Sequence, residues 1–203
     1  PFCGSAAMLL GAPDGKRVET INDADGFVAN FWRAVSKDDE AVAEAMDWPV
    51  NETDLFARHI WLVQQSEGLL ARLHADPDYY DAKIAGWWCW GACNWIGSGW
   101  CSGNGTWVHD GERLVNGDAG QGISRQLPHL SNGKGINRKL PHLGDAGKGI
   151  NRDAGALTRS EFIRQWFACL HTRLRDVRVA CGDWQRVCQD SVTTRFGLTA
   201  VFL

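Results

Sequence analysis

Apolar residues recur at helical spacing in three stretches of the chain. The first runs from Phe27 to Val35, and the second starts at Thr53 and stops at Asp76-Pro77. The third follows Thr158-Arg159-Ser160-Glu161, a sequence typical of a capping box. An apolar stripe with this period is typical of an amphipathic helix that packs on a core. We therefore predict three core-facing helices, the first of them capped by Asp23 or Asp25.

Short apolar runs with β-branched residues lie between and after these helices. They predict strands at 18–21, 177–181 and 199–203, with a short helix through Val187 and Cys188. Strands that alternate with helices are typical of a mostly parallel α/β sheet. The sequence therefore predicts an α/β fold.

The middle of the chain interrupts this alternation. We expect residues 1–50 and 156–203 to form the first and second parts of one core. Residues 51–155 are then a large inserted lobe, mainly helical and rich in loops. At 203 residues the chain is long enough for one such domain with an insertion.

The tract 79–101 holds five of the chain's 11 tryptophans, interleaved with glycine, alanine and cysteine. Small residues between large rings predict a helix that packs closely against a neighbour, followed by a glycine-rich turn. Most of these tryptophans are expected in the core of the inserted lobe. Trp95 and Trp100 lie beside glycines and are the members expected at a binding surface.

A repeat occupies residues 117–152, with copies that begin at Gly120, Gly133 and Gly147. Residues 122–152 carry six basic side chains and one acidic one, whereas residues 1–54 carry eleven acidic and four basic ones. A local basic segment in an acidic chain favours contact with a polyanion. The alternative is a spacer expanded by repeat slippage. The candidate contact residues are Arg125, Lys134, Arg138, Lys148 and Arg152.

Several classes of protein are excluded or disfavoured. No run of about 18 apolar residues exists, so no transmembrane helix is expected. Seven cysteines without a scaffold spacing favour reduced thiols and a cytosolic setting. Three of them (Cys89, Cys93, Cys101) with His109 are a possible zinc set, but the two-residue knuckle is missing. We expect small buried thiols there and no metal.

Three strand ends carry the candidate chemistry. Residues 1–5 form a tight turn around Gly4, Asp23 closes one strand, and Asp183 closes another with Trp184 beside it. Ligands of open α/β sheets lie beyond the carboxyl ends of the strands. One acid there suits ribose hydroxyls and another suits an adenine amine, with Trp184 to stack. Together they predict an adenosine-containing cofactor, although each acid alone is more typical of a helix cap. Cys3 in the turn is expected to pack rather than to act as a nucleophile.

Two long segments and one short one resemble the Dam-type adenine-specific DNA methyltransferases, in their phage-like branch. The segments are Pro1-Phe2-Cys3-Gly4-Ser5-Ala6-Ala7, Ile21 to Arg33, and Cys181-Gly182-Asp183-Trp184, and the likeness extends through the tryptophan tract and the repeats. The resemblance implies a partial Rossmann-like sheet that binds S-adenosylmethionine. It implies a methyl transfer to the exocyclic amine of an adenine flipped out of double-stranded DNA.

Residue by residue, the resemblance implies two sets of contacts. The cofactor set is Pro1, Phe2, Cys3, Gly4, Ser5, Asp23, Asp183 and Trp184. The DNA set, in the inserted lobe, is Trp95, Trp100 and the five basic residues of the repeats. No membrane partner is expected, and the implied location is the cytoplasm of a bacterial or phage-infected cell.

The sequence also departs from this family. The family's glycine-lysine motif would precede Pro1, and its catalytic Asp-Pro-Pro-Tyr loop would follow Leu203. We therefore expect a fragment without methyltransferase activity of its own. Two alternatives stay open: a non-catalytic DNA-binding module with a vestigial cofactor fold, and a methyltransferase that acts on another amine.

Overall fold

The computed structural model describes residues 3–13, 15, 17–95, 99–101, 107–109, 114–116, 157–193 and 197–201. Two pairs of strands and a set of helices form within these ranges. The elements in chain order are α1 (Ala7–Leu10), β1 (Glu19–Asp23), α2 (Gly26–Lys37), α3 (Asp39–Met46), α4 (Glu52–Ala75), α5 (Ala82–Asn94), β2 (Trp107–His109), β3 (Leu114–Asn116), α6 (Arg159–Leu174), β4 (Val177–Cys181), a 3₁₀ turn (Trp184–Arg186) and α7 (Asp190–Thr193).

Strands β1 and β4 pair in parallel, with Glu19 opposite Val177 and Asp23 opposite Cys181. The N-terminal segment joins the other side of β1, where the Cys3 amide donates to the Asn22 carbonyl over 3.1 Å. Successive carbonyl groups of a strand point to opposite sides, so β1 lies between residue 3 and β4. The α/β class predicted from the sequence is confirmed. A separate antiparallel pair, β2 and β3, lies within the predicted insert.

The three predicted helices are present as α2, α4 and α6. At the start of α6 the Thr158 hydroxyl accepts from the Glu161 amide over 3.3 Å. The Glu161 carboxylate accepts in return from the Thr158 amide over 2.7 Å. The predicted capping box is therefore confirmed, as is the strand at 177–181.

Two other predicted elements, a strand and a short helix, are wrong. The strand expected over 199–203 is not formed in its described residues 199–201, where Val201 is 49% exposed and no ladder partner is described. The short helix expected through Val187 and Cys188 is replaced by the 3₁₀ turn and α7 on either side. A strand needs hydrogen-bond partners as well as an apolar sequence, and residues 199–201 are not paired with β1 or β4.

Two hydrophobic clusters hold these elements together. The larger one joins β1, α2, α3 and α6, with Phe31 and Phe167 among its buried residues. The second joins α2, α4 and α5 around Leu62 and Ile84. Helix α2 contributes to both clusters, because its buried side chains cover most of its circumference. The helical part of the predicted insert therefore packs directly on a core helix.

Close packing of α5 follows from its glycines, as the tryptophan tract predicts. A Cβ on Gly86 would lie 2.5 Å from the Ala45 Cβ of α3. A Cβ on Gly91 would lie 1.8 Å from the Trp100 ring. Both distances are shorter than any contact between carbon atoms, so α5 reaches its neighbours only because these positions lack a side chain.

The longest helix, α4, has buried polar residues as well as apolar ones. Arg58 and His59 are both buried on the face that carries Leu62 and Leu69. Within the ranges given above, none of the helices combines the length and the apolar character needed to cross a bilayer.

Candidate functional site

The ends of three separate chain segments meet at one edge of the sheet. The Gly4 amide donates to Asp23 Oδ2 over 3.0 Å, and the Gly182 amide donates to the Asp23 carbonyl over 2.9 Å. The buried Asn22 amide group donates to the Gly182 carbonyl over 2.9 Å. The turn at residues 3–5, the end of β1 and the end of β4 are therefore directly bonded. The sequence predicts this meeting of strand ends.

The turn itself depends on Gly4. This residue has φ of +45°, in the left-handed region that favours glycine, and a Cβ placed there meets no atom within 4 Å. Its carbonyl accepts a 2.8 Å hydrogen bond from the indole of the buried Trp32 in α2. Gly4 and Ser5 are exposed. The hydrogen bond from Trp32 thus holds the turn on its buried side, and Gly4 and Ser5 leave its other side open to solvent.

The carboxylate of Asp23 organises this edge. The residue is 6% exposed, with one oxygen bonded to the Gly4 amide and the other to the Asp25 amide over 3.0 Å. Asp25 then caps α2, accepting from the Phe27 amide over 2.8 Å. A carboxylate offers about four acceptor positions, and the Cys3 thiol takes a third, so about one position remains. Its predicted bond to ribose hydroxyls stays a prediction.

The environment of Cys3 does not favour a role as a nucleophile. Burial, followed by the charge of Asp23 and a hydrogen bond to its carboxylate, raises the pKa of the Cys3 thiol to about 12. The thiol is therefore protonated at neutral pH, whereas a cysteine nucleophile reacts as the thiolate. This finding agrees with the expectation that Cys3 packs in the turn.

Asp183 lies at the same edge but faces solvent. Its Oδ1 accepts from the Gln185 amide over 2.7 Å and so caps the 3₁₀ turn, as a lone acid after a strand often does. The residue is exposed, and the neighbouring Trp184 is 40% exposed. The preceding Gly182 has φ of +124°, which turns the chain sharply out of β4. Asp183 and Trp184 are therefore both accessible to a ligand.

A cavity of about 460 Å³ runs along β4. Its lining includes Asn22 and Asp183 but neither Gly4 nor Asp23. Basic side chains from α2, β4 and the 3₁₀ turn also line it, namely Arg33, Lys37, Arg178 and Arg186. The cavity thus reaches Asp183 and the residue that precedes Asp23.

Trp100 packs against the second cluster, and Trp95 lies against Trp100. The Trp95 ring stacks on the His59 imidazole with centroids 4.8 Å apart, and Trp95 and Trp100 are 5.2 Å apart. The Trp100 indole donates to the Trp88 carbonyl over 2.9 Å. Both tryptophans are half-buried, so they pack against α4 and α5 and keep part of each ring exposed. Their contact with DNA stays a prediction.

Some predicted site residues lie outside the described part of the chain. They are Pro1 and Phe2 of the cofactor set, and Arg125, Lys134, Arg138, Lys148 and Arg152 of the DNA set.

Two buried arginines were not anticipated from the sequence. The Arg33 guanidinium donates to the carbonyls of Asp76 and Tyr79, each over 3.0 Å, and so ties the turn before α5 to α2. Arg58 lies over the Trp87 and Trp90 rings at 4.7 and 4.3 Å. Each arginine lies on a helix face whose other residues are mostly apolar. That position on an apolar face is the one sequence signal that indicates burial of a basic residue.

The three cysteines considered for zinc are not arranged as one site. Cys89 and Cys93 lie one turn apart on α5. Cys101 is buried in the second cluster instead, where its amide donates to the His59 Nδ1 over 3.4 Å. Across the described ranges, no group of three or more His, Cys, Asp or Glu side chains is arranged to hold a metal ion.

Comparison of the chain with protein-family models, with curated proteins and with solved structures gave no match. A functional proposal therefore rests on the geometry of the strand ends.

Proposed function

We propose that this chain is the cofactor-binding and target-recognition part of an S-adenosylmethionine-dependent, adenine-specific DNA methyltransferase. The observation that carries the proposal is the meeting of Gly4, Asp23 and Gly182-Asp183 at one edge of a parallel sheet. These residues come from three distant parts of the chain, and the sequence predicts Gly4, Asp23 and Asp183 to bind the same ligand. A Rossmann-like sheet is part of the proposal, supported by the order in which residue 3, β1 and β4 lie side by side.

The residues at this edge fit an adenosyl group. Gly4 has open space where a side chain would be, so a ligand can approach its backbone closely. One oxygen of the exposed Asp183 is used by Gln185, and the other is available to accept from an adenine amine. Trp184 offers a partly exposed ring beside it for stacking. Of these residues, Asp183 also lines the cavity along β4.

Asp23 has a double role in this proposal. It holds the Gly4 turn and the start of α2 in fixed positions, and its remaining acceptor position would accept from a ribose hydroxyl. Because the carboxylate is already held by two backbone amides, it needs no reorganisation to accept from a ligand. The cofactor would supply an electrophilic sulfonium methyl group for transfer to an amine.

The DNA part of the proposal is supported by the sequence. The basic repeats suit phosphate contacts, and their net charge of +5 contrasts with the −7 of residues 1–54. Trp95 and Trp100 would contact the duplex with the exposed parts of their rings. We place the protein in the cytoplasm of a bacterial or phage-infected cell, in keeping with its free thiols.

Calorimetric titration of the chain with S-adenosylmethionine tests the proposal. We expect saturable heat for the unchanged chain and an affinity roughly 10- to 100-fold lower for Asp183→Ala, since a hydrogen bond to a charged group is lost. Asp176→Ala is the control, because Asp176 is an exposed carboxylate next to the opposite end of β4. The absence of heat with a chain that still binds DNA would favour the non-catalytic DNA-binding module instead.

A further inference from the structure

Two cysteines form a contact pair at the end of α5. Cys89 and Cys93 are four residues apart in this helix and therefore lie on the same face, one turn after the other. Their thiol groups are near enough for each to shift the pKa of the other. Cys93 is exposed, whereas Cys89 is half-buried and packs against the larger hydrophobic cluster. One sulfur therefore faces solvent while the other supports it from the protein side.

The surroundings of the pair favour a thiolate on Cys93. The hydrogen bond from Cys89, together with the nearby charge of Arg159 at the start of α6, lowers the pKa of Cys93 to about 7. The same contact raises the pKa of Cys89 well above its ordinary value. Asp47, at the end of α3, has its Oδ1 atom 3.8 Å from Arg159 Nε, so this carboxylate neutralises part of the Arg159 charge. Cys93 is thus ionised first, and Cys89 remains the proton-bearing partner.

The other cysteines of the chain differ from Cys93. Burial raises the pKa of Cys3, Cys101 and Cys181. Cys169 is exposed on α6, as Cys93 is on α5, but no cysteine lies three or four residues from it. Exposure, a second thiol and a cationic neighbour therefore coincide at Cys93. The methyl-transfer proposal makes no use of this pair.

We propose that Cys89 and Cys93 form a reactive dithiol site whose substrates are peroxides. The Cys93 thiolate attacks one oxygen of hydrogen peroxide; a sulfur–oxygen bond forms, the oxygen–oxygen bond breaks and hydroxide leaves. Cys89 then attacks the Cys93 sulfur. A disulfide forms, the sulfur–oxygen bond breaks, and the Cys89 proton leaves with the oxygen as water. The two thiols lose two electrons to the peroxide, which is reduced to water.

The disulfide requires the last turn of the helix to open. Residues four apart are separated by about 6 Å along a helix axis, within the range of about 4.4 to 6.8 Å between the Cα atoms of a disulfide, but their Cβ atoms, about 5–6 Å apart, must approach to about 3.5–4.5 Å. Cys93 lies in the last turn of α5, which ends at Asn94. The last turn is where a helix yields most readily. Closing the disulfide would displace that turn and the adjoining Trp95, which stacks on His59.

Alkylation of the full chain with iodoacetamide at pH 6, followed by peptide mass spectrometry, measures the thiolate on Cys93. We expect Cys93 to react about tenfold faster than Cys169, since the lowered pKa of Cys93 increases its thiolate fraction by more than it reduces the nucleophilicity of that thiolate. In Cys89→Ala the rate at Cys93 should fall towards that of Cys169, while the rate at Cys169 stays unchanged. Equal rates at Cys93 and Cys169 in the unchanged chain would overturn the proposal.

Treatment with a small excess of hydrogen peroxide tests the second step. We expect the chain to lose two hydrogen masses, and fragmentation to assign the bond to Cys89 and Cys93 rather than to Cys101 on the same tryptic peptide. Cys89→Ser should accumulate sulfenic and then sulfinic acid at Cys93, because the resolving thiol is missing. Accumulation of sulfinic acid at Cys93 in the unchanged chain, with no disulfide, would contradict the role of Cys89.

Discussion

The backbone amide of Gly4 donates a 3.0 Å hydrogen bond to the carboxylate of Asp23. The same carboxylate accepts from the Asp25 amide and from the Cys3 thiol. One buried acid thereby fixes the first turn of the chain, the end of β1 and the entry into α2. The edge of the sheet at which a cofactor is proposed to bind is organised by this acid before any ligand arrives.

Replacing this acid tests its structural role. In Asp23→Asn one of the two carboxylate oxygens becomes an amide nitrogen, which places a donor against a backbone donor. We expect the free energy of unfolding to fall by about 1–3 kcal/mol, the cost of an unsatisfied buried group. Urea denaturation followed by circular dichroism measures the change.

The neighbouring Asp25 provides a matched control. Asp25→Asn keeps a side chain that caps helices as well as aspartate does, so the change should be below about 0.5 kcal/mol. If both variants were equally stable, Asp23 would not organise the edge.

Helix α5 provides a second test, because Gly91 packs against Trp100. We expect Gly91→Ala to lower the free energy of unfolding by about 1–3 kcal/mol, since overpacking outweighs the gain in helix propensity. Gly68→Ala in α4 is the control, because a Cβ there meets no atom within 4 Å. That variant should be more stable by about 0.5–1 kcal/mol. A stabilised Gly91→Ala, measured in the same urea series, would show that Gly91 and the Trp100 ring are not in close contact.

The sequence predicts close packing of α5 but not its partners. Interleaved glycine and tryptophan indicate a close neighbour, yet nothing in the local pattern says that Gly86 meets Ala45 or that Gly91 meets Trp100. Such pairings arise from tertiary contacts between distant segments. The pattern at residues 199–203 misleads for a related reason, because an apolar run alone does not provide a strand to pair with.

The sequence predicts where the candidate site lies better than it predicts which of its residues are buried and what they contact. Parallel strands bring their carboxyl ends to one edge, and this rule alone brings Asp23 and Asp183 together. It does not say which acid is buried, and Asp23 is buried whereas Asp183 is exposed. The basic side chain of Arg33 was also missed, because its partners are backbone carbonyls, which every residue has and no sequence pattern marks.

Arg33 is expected to contribute strongly to stability. In Arg33→Met the carbonyls of Asp76 and Tyr79 lose a charged donor inside the protein, at a cost of about 3 kcal/mol. Lys37→Met removes a neighbouring basic residue whose ion pair with Asp78, 3.3 Å long, is largely exposed. The Lys37→Met change should lower the free energy of unfolding by less than about 0.5 kcal/mol. Equal costs in a urea titration of both variants would contradict the structural role of Arg33.

The stability should depend on pH through His59. Burial lowers the pKa of His59 below its ordinary value of 6.5, and its Nδ1 accepts from the Cys101 amide over 3.4 Å. Below pH 6.5 the unfolded chain binds a proton that the folded chain resists, so stability is present above this pH and is lost as the pH falls.

A variant isolates this contribution. His59→Asn keeps an acceptor near Nδ1 but does not titrate. The difference in unfolding free energy between the unchanged chain and the variant should shrink as the pH is lowered from 7 to 5, by at most about 1.4 kcal/mol per pH unit. A difference that is constant with pH would show that His59 is not held in its neutral form.

The most direct test of the cofactor site is a titration with S-adenosylmethionine followed in the amide spectrum of the ¹⁵N-labelled chain. Binding at the edge of the sheet predicts that the amides of Gly4, Asp25, Gly182 and Gln185 shift together with one dissociation constant. The amides of Asp176 and Glu19, at the opposite end of the sheet, should stay in place. Shifts that spare Gly4 and Gln185, or a spectrum that does not change at millimolar ligand, would contradict a cofactor site at these strand ends.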